Sequence, residues 1–222
     1  MKRNRVWVLC LALAVFLASA CDSGGGGGGT SGATAADYQY LYAMNAFELG
    51  GHTIRWPSNV ISVSPGDVPG VAESFNRWST ATGGAVSFVY TGGGANVSVH
   101  YGSSGGCGVT HVAFTGAGVI SSVAVTIEPN QAYCDGGLSA TVSHEAGHAI
   151  GFLGHDTTGM MHPFRAGPIT SQQANMIRLL YSLPPGTDIT GRMRTKVAYR
   201  ANKYNASGGR IYHLVIRRAC RR

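Results

Sequence analysis

The alternation of apolar and polar residues in the middle of the chain predicts a series of short strands. Segments 85–90 and 96–101 alternate as half-buried strands do. Segments 108–114 and 119–129 are interpreted as two further strands, and segment 52–64 as a strand interrupted by a Trp-Pro turn. The pattern therefore predicts a sheet of about five strands.

Three segments between and after these strands have helical periodicity. In segment 66–84, Val71, Phe75 and Trp78 recur at helical spacing. Segment 137–152 is also interpreted as a helix, and 171–183 as the last one, closed by Pro-Pro-Gly. Strands mixed with helices indicate an α/β (α+β) domain with a twisted mixed sheet rather than a bundle or a sandwich.

The first twenty residues have the composition of an export signal. A basic start precedes an apolar run, Val6 to Ala20, which is shorter than the roughly 20 residues of a membrane span. The run LASAC resembles the lipobox of bacterial lipoproteins, which makes Cys21 a candidate lipidation site; plain secretion with cleavage after the same Ala-x-Ala is the alternative. We therefore expect a signal peptide over 1–20 and an exported protein, either an envelope lipoprotein or secreted.

Composition divides the rest of the chain into three parts. Six consecutive glycines indicate a flexible tether over 21–37. Residues 22–185 hold four Lys/Arg against nine Asp/Glu, whereas 186–222 hold ten against one. Because the positive charge is at the ends, the net charge of +7 does not indicate nucleic-acid binding by the domain, which we place at 38–185.

Export also affects the interpretation of the cysteines. In an oxidising compartment Cys107 and Cys134 are the natural pair, and their disulfide would stabilise the fold by about 3–4 kcal/mol. Two unpaired buried thiols are the alternative. Cys220, near the end of the chain, has no obvious partner.

The candidate chemistry lies in HEAGHAIGFLGH, residues 144–155. On a helix, His144 and His148 fall within about 40° of each other and can bind one metal ion. Gly151 allows φ > 0 and a sharp turn, after which His155 can return as a third ligand. Three imidazoles and an open position are typical of catalytic zinc, since structural zinc has four protein ligands.

These four positions, with Glu145, resemble the HExxHxxGxxH zinc motif of the metzincin metallopeptidases. GMMHP (159–163) is similar to the family's Met-turn and to the matrixin branch in having Met161 two residues before a proline. The final helix is similar to that of matrixins, and the resemblance covers roughly 50–185. It implies a metzincin-like catalytic domain with an active-site helix and a C-terminal helix.

The chain also departs from the matrixin pattern. Met161 follows His155 by only six positions, a shorter connection than is usual in matrixins. Asp156 stands where matrixins generally have Ser, and no PRCGxPD-like cysteine switch is present. The family resemblance implies that a peptide substrate lies along an edge strand within 107–120, with a side-chain pocket after Met161. The other histidines are not expected to be ligands: His52, His100, His111, His162 and His213.

The resemblance implies a zinc endopeptidase that acts on proteins or peptides. Together with the export signal it predicts an exported enzyme, which we expect to be a monomer. Zn²⁺ would be the cofactor, held by His144, His148 and His155, with Glu145 as general base and Met161 below the site without ligating. Two alternatives are a non-catalytic zinc-bearing binding module and an envelope-tethered adhesive protein. The basic tail, 186–222, is consistent with a polymer-binding arm, an added strand pair or a reading-frame accident.

Overall fold

The computed structural model describes residues 32–193 and 210–220. They form an α+β fold in which helices pack against a mixed six-stranded sheet, so the fold class expected from the sequence is confirmed. The strands are β1 (Val60–Ser64), β2 (Ser87–Tyr90), β3 (Val97–Tyr101), β4 (Gly108–Thr115), β5 (Ile120–Ile127) and β6 (Ile211–Arg218).

The strands lie in the order β2-β1-β3-β5-β4-β6. Strands β2, β1, β3 and β5 run parallel, whereas β4 is antiparallel to both β5 and β6. Five strands come from the middle of the chain, as expected, and β6 comes from the tail. The tail therefore supplies the outermost strand on the β4 side of the sheet.

Four α-helices accompany the sheet: α1 (Ala35–Leu41), α2 (Val71–Ala81), α3 (Gly137–Ala149) and α4 (Ser171–Ser182). A π-helical turn (Tyr42–Ala46) and a 3-10 turn (Phe47–Leu49) prolong α1, and another 3-10 turn spans Thr190–Arg192. The predicted helices in 66–84, 137–152 and 171–183 are confirmed as α2, α3 and α4. Within the two described ranges, no helix combines the length and apolarity needed to cross a bilayer.

Apolar periodicity explains how α2 packs, and a side-chain cap explains where α4 begins. Val71, Phe75 and Trp78 of α2 are buried, as their spacing predicts. The indole Nε1 of Trp78 also donates a 2.8 Å hydrogen bond to the carbonyl of Ser143, which joins α2 to α3. In α4, a capping box at Thr170 satisfies backbone donors at the start of the helix.

The central strands contribute one apolar face to the core. In β3 the side chains alternate between buried and exposed, which is the pattern of a sheet covered by helices on one side. These core residues include Val63, Val97, Val99, Val123, Val125 and Ile127.

Ordered structure begins earlier than the sequence predicts. Helix α1 starts at Ala35, inside the stretch 21–37 that was expected to be a tether. A capping box between Thr34 and Asp37 begins the helix, and Tyr38 and Leu41 are buried by its packing. The expected signal peptide (1–20), Cys21 and the glycine run lie outside the described residues.

Segment 52–64 is not one interrupted strand. Only Val60–Ser64 forms a strand, and the earlier part makes two isolated bridges, His52 with Asp188 and Arg55 with Val119. The expected strand was therefore too long, because residues before the Trp-Pro turn pair singly with distant loops.

Of the three interpretations of the tail, the structure supports an added strand, although one strand is added and not the expected pair. Within residues 210–220 the tail contributes a single strand, β6, that pairs with β4 instead of a self-contained pair. Residues 194–209 and 221–222 lie outside the described part of the chain.

Candidate metal centre and its surroundings

Helix α3 places His144 and His148 side by side. The helix begins after Gly136, whose φ is 75°, and both histidines are buried near its C-terminal end. Their Nε2 atoms lie 3.1 Å apart. The i, i+4 spacing thus brings the two rings together as the sequence predicts.

Backbone carbonyls determine which nitrogen of each ring carries the proton. His144 Nδ1 lies 2.7 Å from the carbonyl oxygen of Met160, and His148 Nδ1 is hydrogen-bonded to the carbonyl oxygen of Phe152. Because a carbonyl only accepts, both Nδ1 atoms must donate, and each neutral ring then carries its lone pair on Nε2. The two lone pairs face each other in a buried space.

A sharp bend after α3 returns the chain to the same space. Gly151 has φ of 105°, a left-handed conformation that favours glycine. A Cβ at this position would lie 3.0 Å from Leu180 Cδ2 and 3.1 Å from the carbonyl oxygen of Ile54. The predicted role of Gly151 as the residue that allows the turn is confirmed.

The segment before β1 holds this bend in place. The side-chain amide of Asn45 donates to the carbonyls of Gly151, at 2.7 Å, and of Ile54, at 2.6 Å. The backbone N–H groups of Leu153 and Gly154 both donate to the carbonyl of Met44. Sequence reasoning missed Asn45, since its partners are distant backbone groups that leave no local signal.

The bend brings His155 to the two helical histidines. Its ring centroid lies 5.2 Å from that of His144 and 5.0 Å from that of His148. Its Nε2 is buried and has no hydrogen-bond partner. The three residues contribute ring nitrogens that all lie within 4.8 Å of one another.

This arrangement fits a divalent metal. Zinc–nitrogen bonds of about 2.0–2.1 Å in a tetrahedron imply nitrogens about 3.3 Å apart, close to the spacing of the His144 and His148 Nε2 atoms. Without a cation, buried lone pairs that face each other repel. Burial and neighbouring positive charge lower the pKa of all three imidazoles, that of His148 to about 3, so the rings are neutral donors near pH 7. Imidazole ligands suit zinc, copper, iron and nickel.

Glu145 projects from α3 toward strand β4. It is fully buried, and its Oε2 accepts a 2.6 Å hydrogen bond from the hydroxyl of Thr110. Its Oε1 has no hydrogen-bond partner. Burial raises the pKa of Glu145 to about 8, against the opposing effects of the Thr110 bond and of the positive charge of Arg218. Glycine at 108 makes room for this side chain, since a Cβ there would lie 2.7 Å from Oε1.

Met161 packs against helix α3 between the two helical histidines. A Cβ on Gly147, between the two helical histidines, would lie 2.4 Å from the Met161 sulfur. The side chain of Met161 is completely buried, and the neighbouring Met160 supplies the carbonyl that holds His144. The sulfur of Met161 therefore packs against the backbone of α3 at Gly147.

Asp156 joins the loop after His155 to the rest of the domain. Its carboxylate accepts hydrogen bonds from the hydroxyl of Tyr40 and, at 3.0 Å, from the amide of Gln173. Its backbone N–H donates to the carbonyl of Met161 at 2.9 Å. The two side-chain partners of the Asp156 carboxylate thus come from α1 and α4.

The tail adds a buried cation beside this site. Arg218 of β6 is only 1% exposed. It donates to Thr141 Oγ1 at 3.2 Å and to the carbonyl of Asp135 at 2.8 Å. Its positive charge opposes the burial that raises the pKa of Glu145, and adds to the burial that lowers the pKa of His144. Sequence reasoning missed Arg218; the alternation in IYHLVIRR was a strand signal, but nothing local indicates which strand it joins.

The cysteines form a second cluster at the start of β4. Cys107 and Cys134 are disulfide-bonded, with Cα atoms 5.7 Å apart, which is the pairing expected from the sequence. Cys220, for which the sequence offers no obvious partner, is a free cysteine, and its Sγ lies 2.9 Å from that of Cys107 and 3.7 Å from that of Cys134. The end of the tail therefore meets the disulfide.

The remaining histidines lie elsewhere. His52 is hydrogen-bonded to the carbonyl of Leu49, His100 to the hydroxyl of Thr126, and His162 accepts from two backbone N–H groups of its own loop. His111 and His213 occupy exposed positions on β4 and β6. Across residues 32–193 and 210–220, none of these five joins a group with metal-binding geometry.

Comparison of the chain with protein-family models and with curated proteins finds no match.

Proposed function

We propose that this protein is an exported zinc-dependent endopeptidase of metzincin type. The observation that carries the proposal is the convergence of His144, His148 and His155, with the Nε2 lone pairs of the first two turned toward each other by carbonyl bonds. Such carbonyl partners orient metal-ligating histidines and increase their basicity.

Glu145 supports an enzyme rather than a metal-binding module without turnover. A fully buried carboxylate with one oxygen lacking a partner destabilises the fold. Groups of this kind, in which burial raises the pKa, are concentrated at catalytic sites. A module that only binds zinc would need the three histidines and would be more stable without this carboxylate.

The residues of the site have separate roles in peptide hydrolysis. The three histidines hold the metal, and when bound, Zn²⁺ supplies Lewis-acid chemistry that acidifies water and polarises a carbonyl group. Glu145 Oε1 is free to accept the proton of the attacking water and to pass it to the amine as the C–N bond breaks. Thr110 holds the other carboxylate oxygen, and Met161 supports α3 from below.

The test compares Glu145→Gln with the unchanged full chain. We expect both to contain about one zinc per chain, and the variant to lose peptide cleavage by about 10²–10⁴-fold, the usual contribution of a general base. Glu73→Gln, at an exposed position of α2, is the matched control and should cleave normally. Metal analysis and digestion of a peptide library provide the two readouts.

The same experiment separates the proposal from its alternatives. A zinc-bearing binding module would keep its function when Glu145 is replaced, and no variant would cleave. An envelope-tethered adhesive protein would act through residues 186–222 and would not depend on Glu145. Absence of zinc from the purified full chain would contradict the peptidase proposal at its first step.

A further inference from the structure

Strand β6 covers the outer edge of β4 along its whole length. The register pairs Gly108 with Arg218 at one end and Thr115 with Ile211 at the other. The opposite edge of β4 is bonded to β5. If β6 were displaced, β4 would present a row of unpaired N–H and C=O groups, which is a template for another extended chain.

This edge is the one that adjoins the metal centre. Glu145 packs against Gly108 and is hydrogen-bonded to Thr110, both on β4. Those two residues pair with Arg218 and Ile216 of β6. An extended peptide that uses the β4 edge next to Glu145 would have to occupy the position of β6.

Side chains as well as backbone hold β6 in place. Tyr212, Ile216 and Arg218 face inward and are buried, whereas Ile211 and Val215 face outward and are exposed. Arg218 binds Thr141 Oγ1, one helical turn before Glu145 on α3. A buried arginine is rarely found without hydrogen-bond partners, and Arg218 finds them only when β6 lies along β4. The strand is therefore suited to this particular edge of the sheet.

We propose that residues 211–220 are an intramolecular inhibitor: β6 occupies the peptide-binding edge of β4 beside the metal centre, and Cys220 can latch it covalently to Cys107. The inhibitor rests on the peptidase function proposed above. The occupant of the edge is a segment of the chain itself, and a substrate peptide gains access when that segment is displaced.

The three-cysteine cluster provides the latch. A thiolate at Cys220, 2.9 Å from Cys107 Sγ, can attack that sulfur; the Cys107–Cys220 bond forms, the Cys107–Cys134 bond breaks, and Cys134 leaves as the thiolate. The exchange needs no external oxidant, because one disulfide is replaced by another. The product ties the end of β6 to the start of β4.

The first test displaces β6 by a single charge in the full chain. Ile216→Asp buries a carboxylate at a position that is 6% exposed, whereas Val215→Asp, on the same strand, places it at a position that is 46% exposed. We expect Ile216→Asp to cleave a peptide library at least about 10-fold faster than the unchanged chain, and Val215→Asp to leave the rate unchanged. A synthetic peptide of residues 210–219 should inhibit the Ile216→Asp variant when added to it.

Zinc content and circular dichroism show whether each variant is folded, and the milder Ile216→Ser replaces Ile216→Asp if that variant loses zinc. Equal cleavage by the unchanged chain and the displaced-strand variant would overturn the inhibitor and leave the peptidase intact. No cleavage by any zinc-containing variant would overturn both. If Val215→Asp cleaved the library as fast as Ile216→Asp does, the inhibitor would also be refuted, because the side chain of Val215 does not face the site.

The second test detects the latch by mass spectrometry. No Lys or Arg lies between Arg77 and Arg165, so one tryptic peptide, 78–165, carries both Cys107 and Cys134. The chain is incubated at pH 8 and quenched with acid before digestion. Exchange should then link the tryptic peptide 219–221 to peptide 78–165 through a disulfide, and a reductant should separate the two. Cys220→Ser should abolish this product. Recovery of 78–165 without the added peptide would overturn the latch.

Discussion

The hydroxyl of Thr110, on β4, donates a 2.6 Å hydrogen bond to Oε2 of Glu145, on α3. The bond links β4, the strand next to the outermost one, to the helix that carries two of the three histidines. Because it favours the charged carboxylate, it lowers the pKa of Glu145 against the larger effect of burial, which raises it. Thr110 is thus a positioning residue that also adjusts the basicity of Glu145.

Replacing Thr110 by the isosteric Val should therefore change the pH profile. A hydrogen bond to a charged group contributes about 1.5–3 kcal/mol, and one pKa unit corresponds to about 1.36 kcal/mol. We expect the acidic limb of kcat/KM to move to higher pH by about one to two units, with zinc content unchanged. Thr126→Val on β5, which removes a hydroxyl bonded to His100 of β3, is the control. An unshifted profile would show that Thr110 does not act on Glu145.

Removal of His155 should weaken metal binding severely. Loss of an outer-shell partner typically reduces metal affinity 10–100-fold, and loss of a ligand should exceed that, so His155→Ala should bind zinc more than about 100-fold less tightly. His111→Ala, at an exposed position of β4, should bind zinc normally. Competition with a chromophoric chelator measures both affinities. Equal affinities would exclude His155 as a ligand.

Gly147→Ala tests the contact between Met161 and α3. A Cβ at this position would lie 2.4 Å from the Met161 sulfur and 2.7 Å from Trp78 Cζ2. Overpacking costs about 1–3 kcal/mol, which exceeds the roughly 1 kcal/mol that alanine adds to a helix. We expect a lower free energy of unfolding in urea, whereas Gly92→Ala, with no atom within 4 Å of its Cβ, should be nearly neutral. A stabilised Gly147→Ala variant would show that Met161 moves aside freely.

The metal-free chain should be most stable near pH 6.5. The lowered pKa of the three histidines, about 3 for His148, means that the unfolded chain binds more protons below pH 6.5; stability is present above that pH and is lost as the pH falls toward 3. Glu145 acts in the opposite direction, because its raised pKa of about 8 makes its contribution decline as the pH rises from 4.5 to 8.

Urea unfolding with a chelator, between pH 4 and pH 8, measures this dependence. Below pH 6.5 the three histidines determine how the free energy of unfolding changes with pH, because they outnumber the one carboxyl group. Above pH 6.5, Glu145 is the only one of these four groups that changes it. Glu145→Gln should therefore remove the decline between pH 6.5 and pH 8 and make the rise between pH 4.5 and pH 6.5 steeper, because the opposing effect of Glu145 is lost over both intervals. A free energy of unfolding that stays flat from pH 4 to pH 8 would contradict the buried, neutral state of these groups.

Features of the chain that depend on neighbouring residues could be predicted from the sequence alone. The spacing of Val71, Phe75 and Trp78 determines which face of α2 is buried. The convergence of His144, His148 and His155 is similarly local, because a helical turn and one glycine bend connect all three. Helix α1 was missed even though its capping box was readable, since a short helix beside a glycine run has little periodicity to reveal it.

Only the tertiary structure decided what surrounds those residues. Asn45 holds the bend at Gly151, and Thr110 holds Glu145, through contacts between segments that are far apart in sequence. The tail could be recognised as basic from its composition. Its pairing with β4 and the contact between Cys220 and Cys107 depend instead on which strand of the packed domain has an edge available for pairing. The sequence by itself thus determines the grouping of the three histidines, because local geometry brings them together. The strand that pairs with the outer edge of β4 is decided by long-range packing that no local pattern specifies.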